Sequence, residues 1–107
     1  MINDTGRNVA YKAAIERAVP GKVVCDIGTG TGFLSILAAK AGASKVYSVE
    51  MDPGRAKFAT EMIKKVGLDD VIEVINDNFM NTNITADIFV SETIGTQIFN
   101  EIGRAHV

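Results

Sequence analysis

Apolar positions in this chain follow two spacings in turn. Tyr11, Ala14, Ile15 and Ala18 recur at helical intervals and predict a helix from Arg7 to Ala18. Asn3-Asp4-Thr5 offers capping side chains in front of it, and Pro20-Gly21 breaks it. Lys22-Val23-Val24-Cys25-Asp26-Ile27 reads as a short buried strand, followed by the glycine-rich turn Gly28-Thr29-Gly30-Thr31-Gly32. Phe33 to Ala41 is apolar on nearly every side and closes at Gly42, a residue suited to the position just past a helix. The unit then repeats. Lys45 to Glu50 predicts a second strand. Asp52-Pro53 caps a helix striped with Ala59, Met62, Ile63 and Val66, which Gly67 ends. Val71 to Ile75 predicts a third strand, and Asp87 to Ser91 a fourth that is almost wholly apolar. Such strands separated by helices imply an α/β fold: a parallel sheet covered on both faces.

Composition narrows the picture. A chain of 107 residues and 11.4 kDa has room for one domain. Its 47% hydrophobic content can support a core, which argues against disorder. A formal net charge of -2 gives no basic footprint, so no nucleic-acid partner is expected. The single cysteine, Cys25, excludes an internal disulfide framework and a multi-cysteine zinc site. No apolar run approaches the ~20 residues of a membrane span and no signal-peptide pattern opens the chain, so a cytoplasmic location is expected.

The element count implies a sheet cut short. About 15 residues follow the fourth strand, too few for a crossover helix and another strand. Its exposed edge would then leave the chain poorly folded. The last six residues, Ile102-Gly103-Arg104-Ala105-His106-Val107, back-translate to atc-gga-aga-gca-cac-gtc. With ag in front, this string matches a common high-throughput sequencing adapter. The expectation is that residues 1–101 are the N-terminal part of a larger domain and 102–107 a non-native tail. The one histidine, His106, then has no place in a mechanism, and the last two bases of the Glu101 codon fall in the same string.

Candidate chemistry gathers at the strand ends. Glycines in a strand-to-helix turn let a ligand approach the backbone, and the following helix presents N–H groups. The run does not fit the dinucleotide fingerprint G-x-G-x-x-G. Counted from Gly28 the third glycine would fall at Phe33, and from Gly30 at Ser35. Instead Asp26 precedes a G-x-G-x-G run. Glu50 ends the second strand, where a carboxylate either accepts from a ribose hydroxyl pair or is a solvated strand-end charge. Asp77 and Asn78 end the third, as an adenine contact or as an Asx turn. Asp26 to Gly32, Glu50, Asp77 and Glu92 all fall at carboxyl ends, the ligand edge of open parallel sheets. Met51, beside Glu50, joins this candidate cofactor set. Glu92 and Glu101 lie nine positions apart across a segment containing Gly95. They could grip one guanidinium, or serve as a helix cap and a surface charge.

Asp26-Ile27-Gly28-Thr29-Gly30-Thr31-Gly32 resembles motif I of the class I S-adenosylmethionine-dependent methyltransferases. Ser91-Glu92 with Gly95 and Glu101 looks like the double-glutamate loop of the protein arginine methyltransferases. Met1-Ile2-Asn3-Asp4-Thr5-Gly6-Arg7-Asn8-Val9-Ala10-Tyr11 is similar to that family's M-L-x-D-x-x-R-x-x-x-Y helix. The resemblance covers Met1 to Glu101. It implies a Rossmann-like class I methyltransferase fold, represented here by about four parallel strands with flanking helices. It implies S-adenosyl-L-methionine as cofactor, held by Arg7 at its carboxylate and by Asp26, Gly28, Gly30, Gly32, Glu50, Met51, Asp77 and Asn78. Glu92 and Glu101 would be the catalytic pair, orienting an arginine side chain of a protein or peptide substrate. A homodimer is implied for the full-length protein. Met80 stands where some members use glutamate to hold adenine, and Thr93-Ile94-Gly95 where many have Trp-Met-Gly. Alternative readings are a class I enzyme acting on lysine, a ribosomal protein or a small molecule, and a cofactor-binding fragment without activity.

Overall fold

The computed structural model describes residues 5–30, 32–91 and 98–100, with side chains for 12–30 and 32–91. Helix α1 spans Thr5–Ala18, strand β1 Val23–Ile27, helix α2 Phe33–Lys40, strand β2 Lys45–Val49, helix α3 Pro53–Lys65 and strand β3 Ile72–Ile75. A single 3-10 turn, Phe79–Asn81, leads on to β4, Ile88–Ser91, and β5, Ile98–Asn100. The predicted elements are present, with boundaries within two residues.

The sheet order is β3-β2-β1-β4-β5. β1 pairs parallel with β2 and β4, and β2 pairs parallel with β3. β5 runs antiparallel to β4, with Ser91 opposite Ile98 and Phe89 opposite Asn100. This corrects one expectation: the outer edge of β4 is not open, because β5 returns along it. A fold-back of this kind needs no crossover helix, and for that reason it fits in so short a stretch of chain.

Alternation along the strands divides the apolar residues between two faces. Val24, Val46, Ile72, Ile88 and Val90 pack with Leu34 and Ala38 of α2, Ala59 and Ile63 of α3, and Ile15 and Val19 near the end of α1. The opposite face carries Cys25, Val49 and Phe89, covered by Ala86, Phe79 and Ile84 from the segment between β3 and β4. Both faces of the sheet are therefore covered, as expected, but among the described residues by different means. All three helices serve one face, and a short turn and an extended segment serve the other. Phe79 meets Phe89 edge-on there, with ring centroids 6.2 Å apart.

Local signals explain the helix limits. Asp52 accepts from the Arg55 N–H at 2.8 Å and Pro53 occupies the first turn of α3. Past α3, Leu68 N donates to Ile63 O across Gly67, whose φ of +77° suits a glycine.

Candidate functional site

The turn between β1 and α2 is built on left-handed glycines. Gly28, Gly30 and Gly32 have φ of +71°, +56° and +86°. A Cβ at Gly28 or Gly30 would meet nothing within 4 Å, so the space over the loop is open for a ligand. Gly32 instead lies against Ala59, 3.7 Å from where its Cβ would be. The loop is tied down at its base: Gly28 N and Thr29 N both donate to Val49 O, at 2.8 and 3.2 Å.

Beneath the loop lies a polar cluster that the sequence reading did not single out. Asp26 is only 1% exposed, and its Oδ2 accepts from Thr29 Oγ1 at 3.0 Å and from Ser35 Oγ at 2.8 Å. Ser48 Oγ contacts Thr29 Oγ1 at 2.9 Å and also Ser35 Oγ. One strand, one loop, one helix and the neighbouring strand each contribute a group. The sequence did carry a signal: Ser35 and Ser48 interrupt otherwise apolar runs, and a buried hydroxyl must find a partner. Asp26 thus supports the loop from below. Cys25, on the opposite face, has its thiol pushed up to about 12 by burial and by the neighbouring Asp26 charge.

Glu50 lies just past β2 and is 6% exposed. Its Oε1 accepts from Gly30 N and its Oε2 from Asp52 N, both at 3.0 Å. The carboxylate therefore joins the glycine loop to the turn before α3. Each oxygen keeps acceptor capacity for a further donor. Asn76 donates through Nδ2 to Glu50 O at 2.8 Å and to Met51 O at 3.1 Å, which fixes the backbone of that turn. Met51 itself is exposed.

Asp77 and Asn78 make turn contacts. Asp77 Oδ1 accepts from Asn78 N at 2.7 Å, and Asn78 Oδ1 accepts from Met80 N at 3.0 Å. Asp77 N donates to Glu50 O at 3.1 Å, so the exits of β2 and β3 are stitched together. Both side chains are exposed at the carboxyl edge. Arg7 lies in α1 but its side chain is outside the described set, and Glu92 and Glu101 fall outside the described residues altogether. What the structure does place is Ser91, the residue before Glu92, in register with Ile27, the residue before Gly28. The strand order reverses there, between β1 and β4, and crevices at such reversals are where α/β sheets hold ligands.

A cavity of about 390 Å³ lies elsewhere, lined by Lys12, Glu16, Phe33, Ile36, Leu37 and Lys40 between α1 and α2. It is on the helical face and contains none of the strand-end groups. Among the described residues no cluster of three His, Cys, Asp or Glu could hold a metal ion.

Comparison with known proteins gives these residues a context. The model of the ribosomal protein L11 methyltransferase (PrmA) family matches residues 10–103. An arginine N(omega)-methyltransferase of Streptomyces achromogenes subsp. streptozoticus is 40% identical over 108 residues, covering 94% of this chain and 30% of that protein. Protein arginine N-methyltransferase 9 of Mus musculus is 36% identical, covering 94% of this chain and 13% of that protein. The chain thus spans less than a third of these relatives. Among solved structures, the Trypanosoma brucei PRMT1 enzyme-prozyme heterotetrameric complex with AdoHcy superposes with a TM-score of 0.75 at 38% identity, covering 83% of this chain and 29% of that one. An RNA methyltransferase from Salinibacter ruber, in complex with S-adenosyl-L-homocysteine, shares the fold at a TM-score of 0.71 and 22% identity.

Proposed function

The chain belongs to the methyltransferase family of the ribosomal protein L11 methyltransferase (PrmA) model, within the Rossmann-like class I fold, and on that premise we propose that it binds S-adenosyl-L-methionine and that the full-length protein methylates an arginine guanidinium. The observation that carries the cofactor reading is the Gly30–Glu50 junction. An open loop of left-handed glycines sits beside a carboxylate already held by two backbone N–H groups at the sheet's ligand edge.

The groups present suit the cofactor. It has no pyrophosphate, so the loop has no phosphate charge to neutralise. Gly28, Gly30 and Gly32 would accept its amino-acid and sulfonium portion. Glu50 would accept from the two ribose hydroxyls. Met51, exposed beside it, would lie against the adenine, with Asp77 and Asn78 at the base edge. Arg7 would pair with the cofactor's carboxylate. When bound, the cofactor supplies a methyl group on a sulfonium, activated for in-line attack by nitrogen.

The chain's own residues then orient and polarise. Glu92 and Glu101 would hold the guanidinium through its planar donors and concentrate positive charge on the nitrogens that do not attack. As the N–CH3 bond forms and the S–CH3 bond breaks, one guanidinium proton would pass to solvent, with S-adenosylhomocysteine as the leaving group. The free guanidinium is protonated at neutral pH, so we assign no simple general base. Most of the rate would come from positioning and electrostatics. The arginine acceptor is supported by the names of the relatives, arginine N-methyltransferases at 36–40% identity.

The PrmA match favours a second reading, a ribosomal protein as acceptor. One experiment separates them. The full-length protein is incubated with methyl-labelled S-adenosylmethionine and either an arginine-rich peptide or ribosomal proteins, and the products are hydrolysed to amino acids. Label in ω-N-methylarginine supports the arginine reading; label confined to lysine or an α-amino group overturns it.

A further inference from the structure

Hydroxyl protons in the buried cluster can be counted. Thr29 and Ser35 each have one, and both are directed to Asp26 Oδ2. Ser48 also contacts both hydroxyl oxygens. With those two protons committed, Ser48 must be the donor in its own contacts, shared between Thr29 and Ser35. The four groups form a closed ring with Asp26 at one end and Ser48 at the other. Asp26, Ser35 and Ser48 are all 0–1% exposed, and Thr29 is 5% exposed.

Thr29 is the only member that belongs to the loop, and it sits between Gly28 and Gly30. Left-handed glycines have no side chains to hold them, and open space lies over both. Gly30 N must nevertheless point at Glu50 Oε1. The Thr29 side chain, pulled down onto β1, β2 and α2 at once, restrains the peptides on either side of it. Ser48 lies two residues before Glu50, but its hydroxyl is directed at Thr29 and Ser35 and not at the Glu50 carboxylate, so the ring serves the loop rather than the ribose side.

We propose that this hydroxyl ring is the device that fixes the cofactor loop, with Ser48 and Ser35 as positioning residues that never touch the cofactor. The proposal rests on the methyltransferase reading above. It makes a selective prediction. The loop would hold the amino-acid portion of the ligand, whereas Glu50 would hold the ribose. Removing the Ser48 hydroxyl should therefore weaken a ligand carrying the amino-acid portion and spare one that lacks it. A mere packing defect would weaken both.

The test is calorimetric titration of the full-length protein with S-adenosylhomocysteine and with 5′-methylthioadenosine, which lacks the amino-acid portion. In Ser48→Ala, affinity for S-adenosylhomocysteine should fall roughly five- to tenfold, the worth of one buried hydrogen bond, with little change for 5′-methylthioadenosine. Ser35→Ala breaks the ring from the helix side, should behave alike, and carries the test if Ser48→Ala does not fold. The double variant should lose little more than the worse single one, since a ring is broken once. Equal loss for both ligands, no loss for either, or additive loss in the double variant would overturn the proposal. A wild-type protein that binds neither ligand would overturn it together with the function it rests on; the wild-type titration tells the two failures apart.

Discussion

Glu50 has two tasks at one position. Its oxygens hold the N–H groups of Gly30 and Asp52, and in the proposed complex the same oxygens accept from the ribose. Glu50→Ala should therefore reduce S-adenosylmethionine affinity by about 1.5–3 kcal/mol, the worth of hydrogen bonds to a charged group. Unlike a residue that only meets ligand, it should also lower the melting temperature of the ligand-free protein, since two backbone donors lose their acceptor. Calorimetry and a thermal melt on the same sample check both halves; unchanged affinity would remove the ribose assignment. Cys25 predicts a pH effect of known sign. Burial, with the neighbouring Asp26 charge, pushes its thiol from the ordinary 9.0 up to about 12 in the folded chain. Below about pH 9 neither state ionises it, and its contribution to stability is intact. As pH rises toward 12 the unfolded chain loses the proton first, so stability falls across that window. Iodoacetamide at pH 8 should label Cys25 slowly in native buffer and rapidly in denaturant; rapid native labelling would contradict the burial.

Asp52 shows how an element and a site share a residue. Its side chain caps α3 through Arg55 N while its own N–H serves Glu50. Asp52→Ala keeps the backbone donor and loses only the cap. It should cost about 1 kcal/mol of stability and leave cofactor affinity nearly unchanged. A large affinity loss would mean that the cap also sets the Glu50 turn. This cap was legible in the sequence, as Asp-Pro before an apolar stripe, and so were the four parallel strands and the glycine loop. Each is a local pattern with a local cause. β5 was not legible: Ile98-Phe99-Asn100 is three residues long, and only the partner edge of β4 makes it a strand. Nor was the one-sided placement of the helices. Periodicity shows that an element has an apolar face, but the chain's crossovers decide which side of the sheet receives it. At the site, Asp26 and Glu50 stood out as charges at strand ends. Ser35 and Ser48 did not, because their role exists only once α2 and β2 are brought against Asp26.

Strand order joins the two halves of the proposed chemistry. Because β4 inserts beside β1 rather than beyond β3, Ser91 lies next to Ile27, and the chain enters Glu92 from the place where the glycine loop begins. β5 runs antiparallel to β4 with Ile98 opposite Ser91, so residues 91 and 98 lie side by side at that edge. A ligand over Gly28 and Gly30 and an acceptor held by residues after Ser91 would share one crevice, as methyl transfer between them requires. In the proposed complex the electrostatics would be divided, with Glu50 serving the cofactor's sugar and Glu92 the acceptor's charge. On the proposed reading, an amide at Glu92 would remove a negative charge from the guanidinium site and loosen the angle of attack, which costs rate as well as affinity. In the full-length protein, Glu92→Gln should lower turnover on arginine substrates by orders of magnitude. S-adenosylhomocysteine affinity should stay within about twofold, since the groups proposed to hold the cofactor lie elsewhere. Steady-state kinetics with an arginine peptide, beside calorimetry of the same variant, reads both. A Glu92→Gln enzyme with full arginine turnover would shift the acceptor toward the ribosomal-protein reading. One with lost cofactor affinity would place Glu92 on the cofactor side of the crevice instead.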